Sequence, residues 1–113
     1  MANAPRTLHV RLFQASIKTP YVFRSLAEAQ RLGGVDPKDY KLVYQEDRPV
    51  GSMARDEVVL EQLYARYNAD DRPGAHEFRS LSMSDLVELS GPDGTRLWYC
   101  DAAGFKKLDL TMP

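Results

Sequence analysis

Three serines and an aspartate are the residues of this chain whose types and spacing could do chemistry. Ser80, Ser82 and Ser84 occupy alternate positions. Asp85 follows the last of them, and His76 lies four residues before the first. A serine nucleophile needs a base within hydrogen-bonding reach. In many hydrolases a Gly-x-Ser-x-Gly sequence presents the nucleophilic serine on a sharp turn, and no such sequence surrounds these serines. We therefore interpret the four residues as a structural turn whose hydroxyls and carboxylate cap backbone amides.

Cys100 is the second residue that could do chemistry. It is the single cysteine, so it forms no intramolecular disulfide, and it has no Cys or His at metal-ligand spacing. Its apolar, aromatic surroundings indicate a buried and inert thiol. The acidic pairs Glu46-Asp47 and Asp70-Asp71 lack the spacing of an EF-hand, and the chain has no P-loop or dinucleotide fingerprint. The sequence thus predicts no catalytic residue, no metal and no cofactor, and a protein that is not an enzyme.

Composition and charge restrict the class of protein. A chain of 113 residues with 43% hydrophobic residues predicts one compact domain. Fifteen Lys and Arg against sixteen Asp and Glu lack the basic excess typical of sequence-independent nucleic-acid binding, although Lys106-Lys107 and Arg79 could form a local patch. No run approaches the roughly 18 apolar residues of a membrane helix, and the first residues lack an apolar signal core. We expect a cytoplasmic protein without membrane association.

Two segments have the pattern of amphipathic helices. Ser25 and Glu28 have the spacing of a capping box, which predicts a short helix that ends near Leu32 before Gly33-Gly34. Asp56 is the predicted N-cap of a second helix. The core-facing stripe of that helix contains Val59, Leu60, Leu63, Tyr64 and Tyr67.

Alternating apolar residues predict four strands. In the first strand, Leu8, Val10 and Leu12 share one face, which places His9 in solvent. The last two strands flank a Gly-Pro-Asp-Gly turn and form a hairpin. The four predicted strands span residues 7–14, 40–45, 85–89 and 95–101. We predict an N-terminal tail at residues 1–6 and an α+β domain at residues 7–110, with a mixed or antiparallel sheet of about four strands and both helices on one face.

Three polar connections form the predicted contact surface for a partner, because binding residues concentrate on loops held by a rigid scaffold. The connections are residues 46–55, residues 70–79 and the hairpin tip at residues 91–94. The possible partner-contact residues within them are Arg48, Arg55, Asp70, Asp71, Arg72, His76, Arg79 and Asp93.

Five segments of the chain form an ordered series, which comprises Tyr40–Tyr44, Leu60–Asn68, Ser80–Val87, Trp98–Asp101 and Gly104-Phe105. The series resembles the YodL-like domain family, whose pattern is Tyr-x-Leu-Val-Tyr, Leu-Glu-x-x-Tyr-x-x-Phe-Asn, Ser-Leu-Ser-Val-Ser-Asp-Val-Val, Tyr-Tyr-x-Asp and Gly-Phe. The chain departs from this pattern in three ways. Tyr67 stands for Phe, Met83 and Leu86 stand for Val, and Phe78-Arg79 stands where a Gly often precedes the serines.

The resemblance implies a small accessory protein or module of conjugative elements, phages and bacterial chromosomes, with no settled activity. We expect a non-catalytic protein-binding module. Its family setting suggests an inhibitor, encoded by a mobile element or phage, of a host machine such as a CRISPR or restriction effector. The alternative is a nucleic-acid-associated accessory protein or regulator of a conjugative element that acts through a small basic patch. Salt-sensitive nucleic-acid binding without a protein partner would favour the alternative.

Overall fold

The computed structural model describes residues 5–113 and contains a five-stranded antiparallel sheet with two helices. The elements in chain order are β1 (Arg6–Ala15), α1 (Leu26–Arg31), a 3-10 turn (Pro37–Asp39), β2 (Tyr40–Val50), α2 (Asp56–Arg66), β3 (Leu86–Gly91), β4 (Gly94–Cys100) and β5 (Phe105–Leu108). The strand order is β2-β1-β3-β4-β5. The α+β prediction is confirmed, with five strands rather than about four.

Strand β1 is an inner strand of the sheet, and its buried face agrees with the prediction from sequence. Leu8, Val10 and Leu12 are fully buried on one face, as their alternation indicates. His9 lies on the opposite face with its side chain 43% exposed. The strand already includes Arg6, which pairs with Val50 and was predicted to belong to the tail. Residues 1–4 of the predicted tail lie outside the described residues.

The two helices pack on opposite faces of the sheet, so the prediction that both share one face is wrong. Helix α2 packs on the face of Leu12 and Val87, whereas Ala29 of α1 packs with Phe13 and Leu86. Neighbouring residues of a strand point to opposite sides, and Leu12 pairs with Val87 while Phe13 pairs with Leu86. An amphipathic pattern shows that a helix needs an apolar surface, but it does not select which face of the sheet provides it.

Strand β2 is longer than predicted. Residues 46–50, which were predicted to begin a loop, continue the pairing with β1. Charged residues are common on an edge strand, where they discourage pairing with other chains. The charged residues of this segment were therefore wrongly interpreted as the start of a loop. The register shifts so that Tyr44 faces Leu12 and Leu42 faces Phe13, which leaves Val43 as the extra residue of a β-bulge. Val43 and Tyr44 consequently both pack on the α2 face.

Helix α1 begins and ends as its sequence predicts. The Ser25 hydroxyl accepts the Glu28 amide at 3.2 Å, and Leu32 closes the helix. Gly33 and Gly34 have φ of +111° and +94°, the left-handed conformation that glycine adopts without strain. The Glu28 carboxylate binds Arg31 instead of completing a reciprocal capping box.

Helix α2 differs from its prediction at its N-terminus and in its core-facing stripe. Its N-cap is Arg55, which makes no side-chain capping bond, and Asp56 is the first helical residue. The Asp56 carboxylate instead accepts two hydrogen bonds from Arg96 at 2.7 and 2.8 Å, so it links the helix to β4. Tyr64, which was assigned to the core stripe, is 46% exposed.

The hairpin of β3 and β4 has the predicted turn. Gly91 pairs with Gly94, so Pro92 and Asp93 form the tip, and Gly94 has φ of +103°. Strand β5 was not predicted, because four residues are too short to establish a period. It pairs with β4 and forms the second edge of the sheet.

Candidate functional site

Asp85 is at the centre of a buried polar cluster, which we call the Asp85 network and which comprises Gln14, Arg79, Ser82 and Asp85. The Asp85 side chain is 0% exposed. One carboxylate oxygen accepts the Ser82 amide at 2.8 Å and the Gln14 amide group at 3.1 Å, while the other accepts Arg79 at 3.1 Å. Burial raises the pKa of Asp85 to about 6, against the opposing effect of these donors. The carboxylate therefore joins the Ser80–Asp85 turn to β1.

Ser84 is also buried and has left-handed backbone geometry, with φ of +83°. Its hydroxyl accepts the amide of Phe23 at 3.0 Å, and its carbonyl accepts the Tyr40 hydroxyl at 2.7 Å. The Ser82 hydroxyl donates to the Ser80 carbonyl at 2.9 Å. Among residues 5–113, the exposed His76 ring makes no hydrogen bond to any of these hydroxyls. The serines thus bind backbone groups and do not form a nucleophile with its base.

Residues 16–24 connect β1 to α1, and we call this segment loop 16–24. Several contacts with the rest of the protein hold it in place. Phe23 has φ of +62°, a conformation that costs a non-glycine residue roughly 1 to 3 kcal/mol and that its hydrogen bond to Ser84 helps to maintain. The Tyr99 hydroxyl donates to the Arg24 carbonyl at 2.8 Å. The Arg79 guanidinium lies 5.0 Å from the centre of the Phe23 ring, within cation–π distance. This surface loop is therefore tied to the core at several points.

Two large apolar side chains of loop 16–24 remain in solvent. Ile17 is 74% exposed and Phe23 is 48% exposed. Beside them is a groove of about 580 Å³, the loop groove, whose lining includes Ile17, Lys38, Lys41, Val43, Phe78 and Arg79. Sequence analysis missed both apolar residues, because an exposed side chain in a segment without periodicity has no sequence signal.

A second cleft, of about 380 Å³, lies between α2 and the turn that connects β4 to β5. Its lining includes Glu61, Tyr64, Asp101 and Phe105, all of which are positions of the motif series. One carboxylate oxygen of Asp101 accepts the amides of Leu26 and Ala102, which gives this residue a structural role. Tyr64, which was predicted to face the core, therefore lines this open cleft instead.

Cys100 also lines this cleft, but only 3% of the residue is exposed. Burial, together with the negative charges of Asp85 and Asp101, raises the pKa of the thiol to about 12. The thiolate is the reactive form of cysteine, so the environment opposes both nucleophilic chemistry and metal binding.

We expect the Cys100 thiol of the native protein to react with a disulfide reagent far more slowly than the thiol of the urea-unfolded chain. Cys100→Ser should lower the free energy of unfolding by about 1 kcal/mol, because the hydroxyl needs a partner that the site lacks. Cys100→Ala is the matched control, which removes the sulfur without adding a polar group. Loss of partner binding in a fully folded Cys100→Ser protein would contradict a purely structural thiol.

The residues predicted to contact a partner do not form one surface. Arg79 is held by Asp85, and Arg72 donates to the Phe78 carbonyl at 2.9 Å. Asp93 forms an ion pair with Arg6 at 2.7 Å, at the end of β1 remote from loop 16–24. The remaining members lie in β2, before α2, or in the connection that follows α2, and they are Arg48, Arg55, Asp70, Asp71 and His76. Of the full set, only Arg79 contributes to the loop groove.

Across residues 5–113, no three His, Cys, Asp or Glu side chains are arranged to hold a metal ion. The helices in this part of the chain are too short and too polar to cross a membrane.

In a comparison with protein families, residues 10–110 match the YodL-like domain. The chain belongs to the YodL-like domain family. The resemblance noted in the sequence is confirmed, and the matched region of this YodL-like domain includes most of β1 and all later elements. No curated protein and no solved structure shows significant similarity to the chain.

Proposed function

We propose that this YodL-like domain is a non-catalytic protein-binding module. The observation that carries the proposal is the arrangement at loop 16–24, where Ile17 and Phe23 are exposed. Ser84 holds the backbone amide of Phe23, and Arg79 contacts the Phe23 ring. The polar groups that could have formed a catalytic site, Ser82 and Asp85, are bonded to the backbone of the Ser80–Asp85 turn.

Rigid presentation of apolar side chains favours protein binding for an energetic reason. Interfaces obtain most of their binding energy from a few anchor side chains, among which aromatic residues and Arg are over-represented. An anchor that is already fixed in the free protein loses little conformational entropy on binding. Phe23 meets this requirement, because its backbone amide and its ring each contact a buried or partly buried group.

We further propose that the module acts by forming an equimolar complex that blocks a host machine, such as a CRISPR or restriction effector. The setting of the family in mobile elements supports this role. A nucleic-acid-associated role in a conjugative element is the alternative outcome of the test below.

We expect affinity purification from the native host to recover a protein partner whose titration saturates near equimolar amounts. Replacing the two anchors together, in Ile17→Asp/Phe23→Asn, should weaken the complex by at least about tenfold, as expected for anchor residues. Asn at position 23 is chosen because it tolerates left-handed backbone geometry.

Met53→Asp is the matched control. Met53 is an apolar residue that is 81% exposed, more than either anchor, but it follows Val50, which pairs with Arg6 at the opposite end of β1. A substoichiometric, catalytic effect on the partner would overturn the binding-module proposal. Tight, salt-sensitive DNA or RNA binding without any protein would favour the alternative role.

A further inference from the structure

We propose that loop 16–24 and the loop groove bind an acidic segment of a partner protein that carries at least one exposed apolar side chain. This inference rests on the protein-binding function proposed above and adds the site and the chemistry of the partner. Two independent properties of the site lead to it, namely the apolar anchors and the sign of the surrounding charge.

The charge around the anchors is positive although the chain as a whole is not. The formal net charge of the chain is −1, whereas loop 16–24 contains Lys18 and Arg24 and no acidic residue. Both basic side chains are exposed. Lys38 and Lys41, also exposed, line the adjoining groove. An acidic partner would therefore be attracted to this surface, and a basic one would be repelled.

Two acidic residues also line the loop groove and reduce its positive charge. The Asp39 carboxylate accepts the Tyr21 hydroxyl at 2.8 Å, so part of its bonding capacity is already used within the protein. Glu77 is exposed. Arg79 adds no free charge, because Asp85 is its ion-pair partner. The two lysines of the groove together with Lys18 and Arg24 still outnumber the two acids.

The apolar part of the site extends from the loop into the groove. Ile17 projects from the loop and also lines the groove, where Val43 and Phe78 provide further apolar walls. An apolar side chain of the partner would be buried between these groups while acidic neighbours reach Lys38 and Lys41. This combination favours a protein segment over a nucleic acid, which would have no apolar side chain to bury in the groove.

A peptide selection tests the chemistry of this site directly. Random 12-residue peptides on phage are selected against the full chain, with counter-selection against the Ile17→Asp/Phe23→Asn variant. We expect the enriched peptides to have negative net charge and at least one aromatic or large aliphatic residue. Enrichment of basic or uncharged peptides, or no enrichment over the counter-selected variant, would overturn the proposal.

Charge reversal then locates the binding site. The Kd of an enriched peptide should rise at least about tenfold in Lys38→Glu/Lys41→Glu, because attraction becomes repulsion. It should change less than about twofold in Lys106→Glu/Lys107→Glu, which makes the same change of charge on β5 at the other edge of the sheet. Equal effects in the two variants would show long-range attraction without a site, and would contradict the proposal.

Two further measurements separate the alternative occupants. Binding of a 20-nucleotide poly-dT probe that is stronger than binding of the enriched peptide, and is lost in Lys38→Glu/Lys41→Glu, would assign the site to nucleic acid instead. Sedimentation showing self-association that Ile17→Asp/Phe23→Asn abolishes would assign it to a second copy of the chain. If the native partner binds equimolarly but is sensitive to Met53→Asp and not to the loop variant, the proposed function stands and this site is wrong.

Discussion

Asp85→Ala is expected to lower the free energy of unfolding by about 3 kcal/mol, the largest effect that we predict for a single substitution. The substitution removes the acceptor for the Ser82 amide and the Gln14 amide group, and it leaves Arg79 without its ion-pair partner. Because these donors are partly or fully buried, water replaces the lost bonds poorly. Urea denaturation measures the change, and a loss below about 1 kcal/mol would show that solvent reaches the site easily.

The same residue should make stability depend on pH. The folded-state pKa of about 6 lies above the ordinary value of an aspartate, so between these two values the native state binds the proton more tightly than the unfolded state. Stability should therefore rise as the pH falls from 7 to 5, by an Asp85 contribution of about 1 kcal/mol.

Asp85→Asn is the control for this pH dependence. A hydrogen bond to Asp47 raises the pKa of the exposed His9, which acts in the same direction, but His9 is present in both proteins. The difference between wild type and Asp85→Asn therefore isolates the aspartate. Parallel curves of stability against pH would contradict a raised pKa.

Glu46→Ala should produce the second largest effect, a loss of about 2 to 3 kcal/mol. The Glu46 carboxylate accepts two hydrogen bonds from Arg66, at 2.9 and 3.0 Å, and one from the Tyr67 hydroxyl. It therefore joins the edge strand β2 to the end of α2. Burial acts to raise the pKa of Glu46, but the bonds from Arg66 and Tyr67 outweigh it and hold the pKa below its ordinary value. The charged form is thus the bound form at neutral pH.

Tyr67→Phe is the matched comparison, because it removes one of the three bonds and keeps the buried ring. We expect it to cost about 1 kcal/mol, and we expect the double variant with Glu46→Ala to be more stable than the sum of the single losses implies. Denaturation of the four proteins gives the coupling energy. Strict additivity would mean that the hydroxyl and the carboxylate do not interact in solution.

Loop 16–24 shows why the candidate surface could not be predicted. Ile17 and Phe23 belong to a stretch without helical or strand periodicity, and nothing local distinguishes an exposed apolar residue from a buried one. Ser84 binds the amide of Phe23 across 61 residues of sequence. Arg79 binds the carbonyl of Ala15, just before the loop, across 64 residues. Only the folded chain brings these groups together.

The sequence by itself determined the family, the α+β class, β1, the β3–β4 hairpin and the cap of α1. Each of these depends on an ordered motif or on residues that are close along the chain, where period, capping and turn chemistry act directly. Tertiary structure alone decided the face that each helix covers, the length of β2, the existence of β5 and the pairing of Asp56 with Arg96 across 40 residues. These features depend on contacts between distant segments. An apolar stripe or a charged side chain shows that a partner is needed, but the packing of the whole sheet determines which residue that partner is.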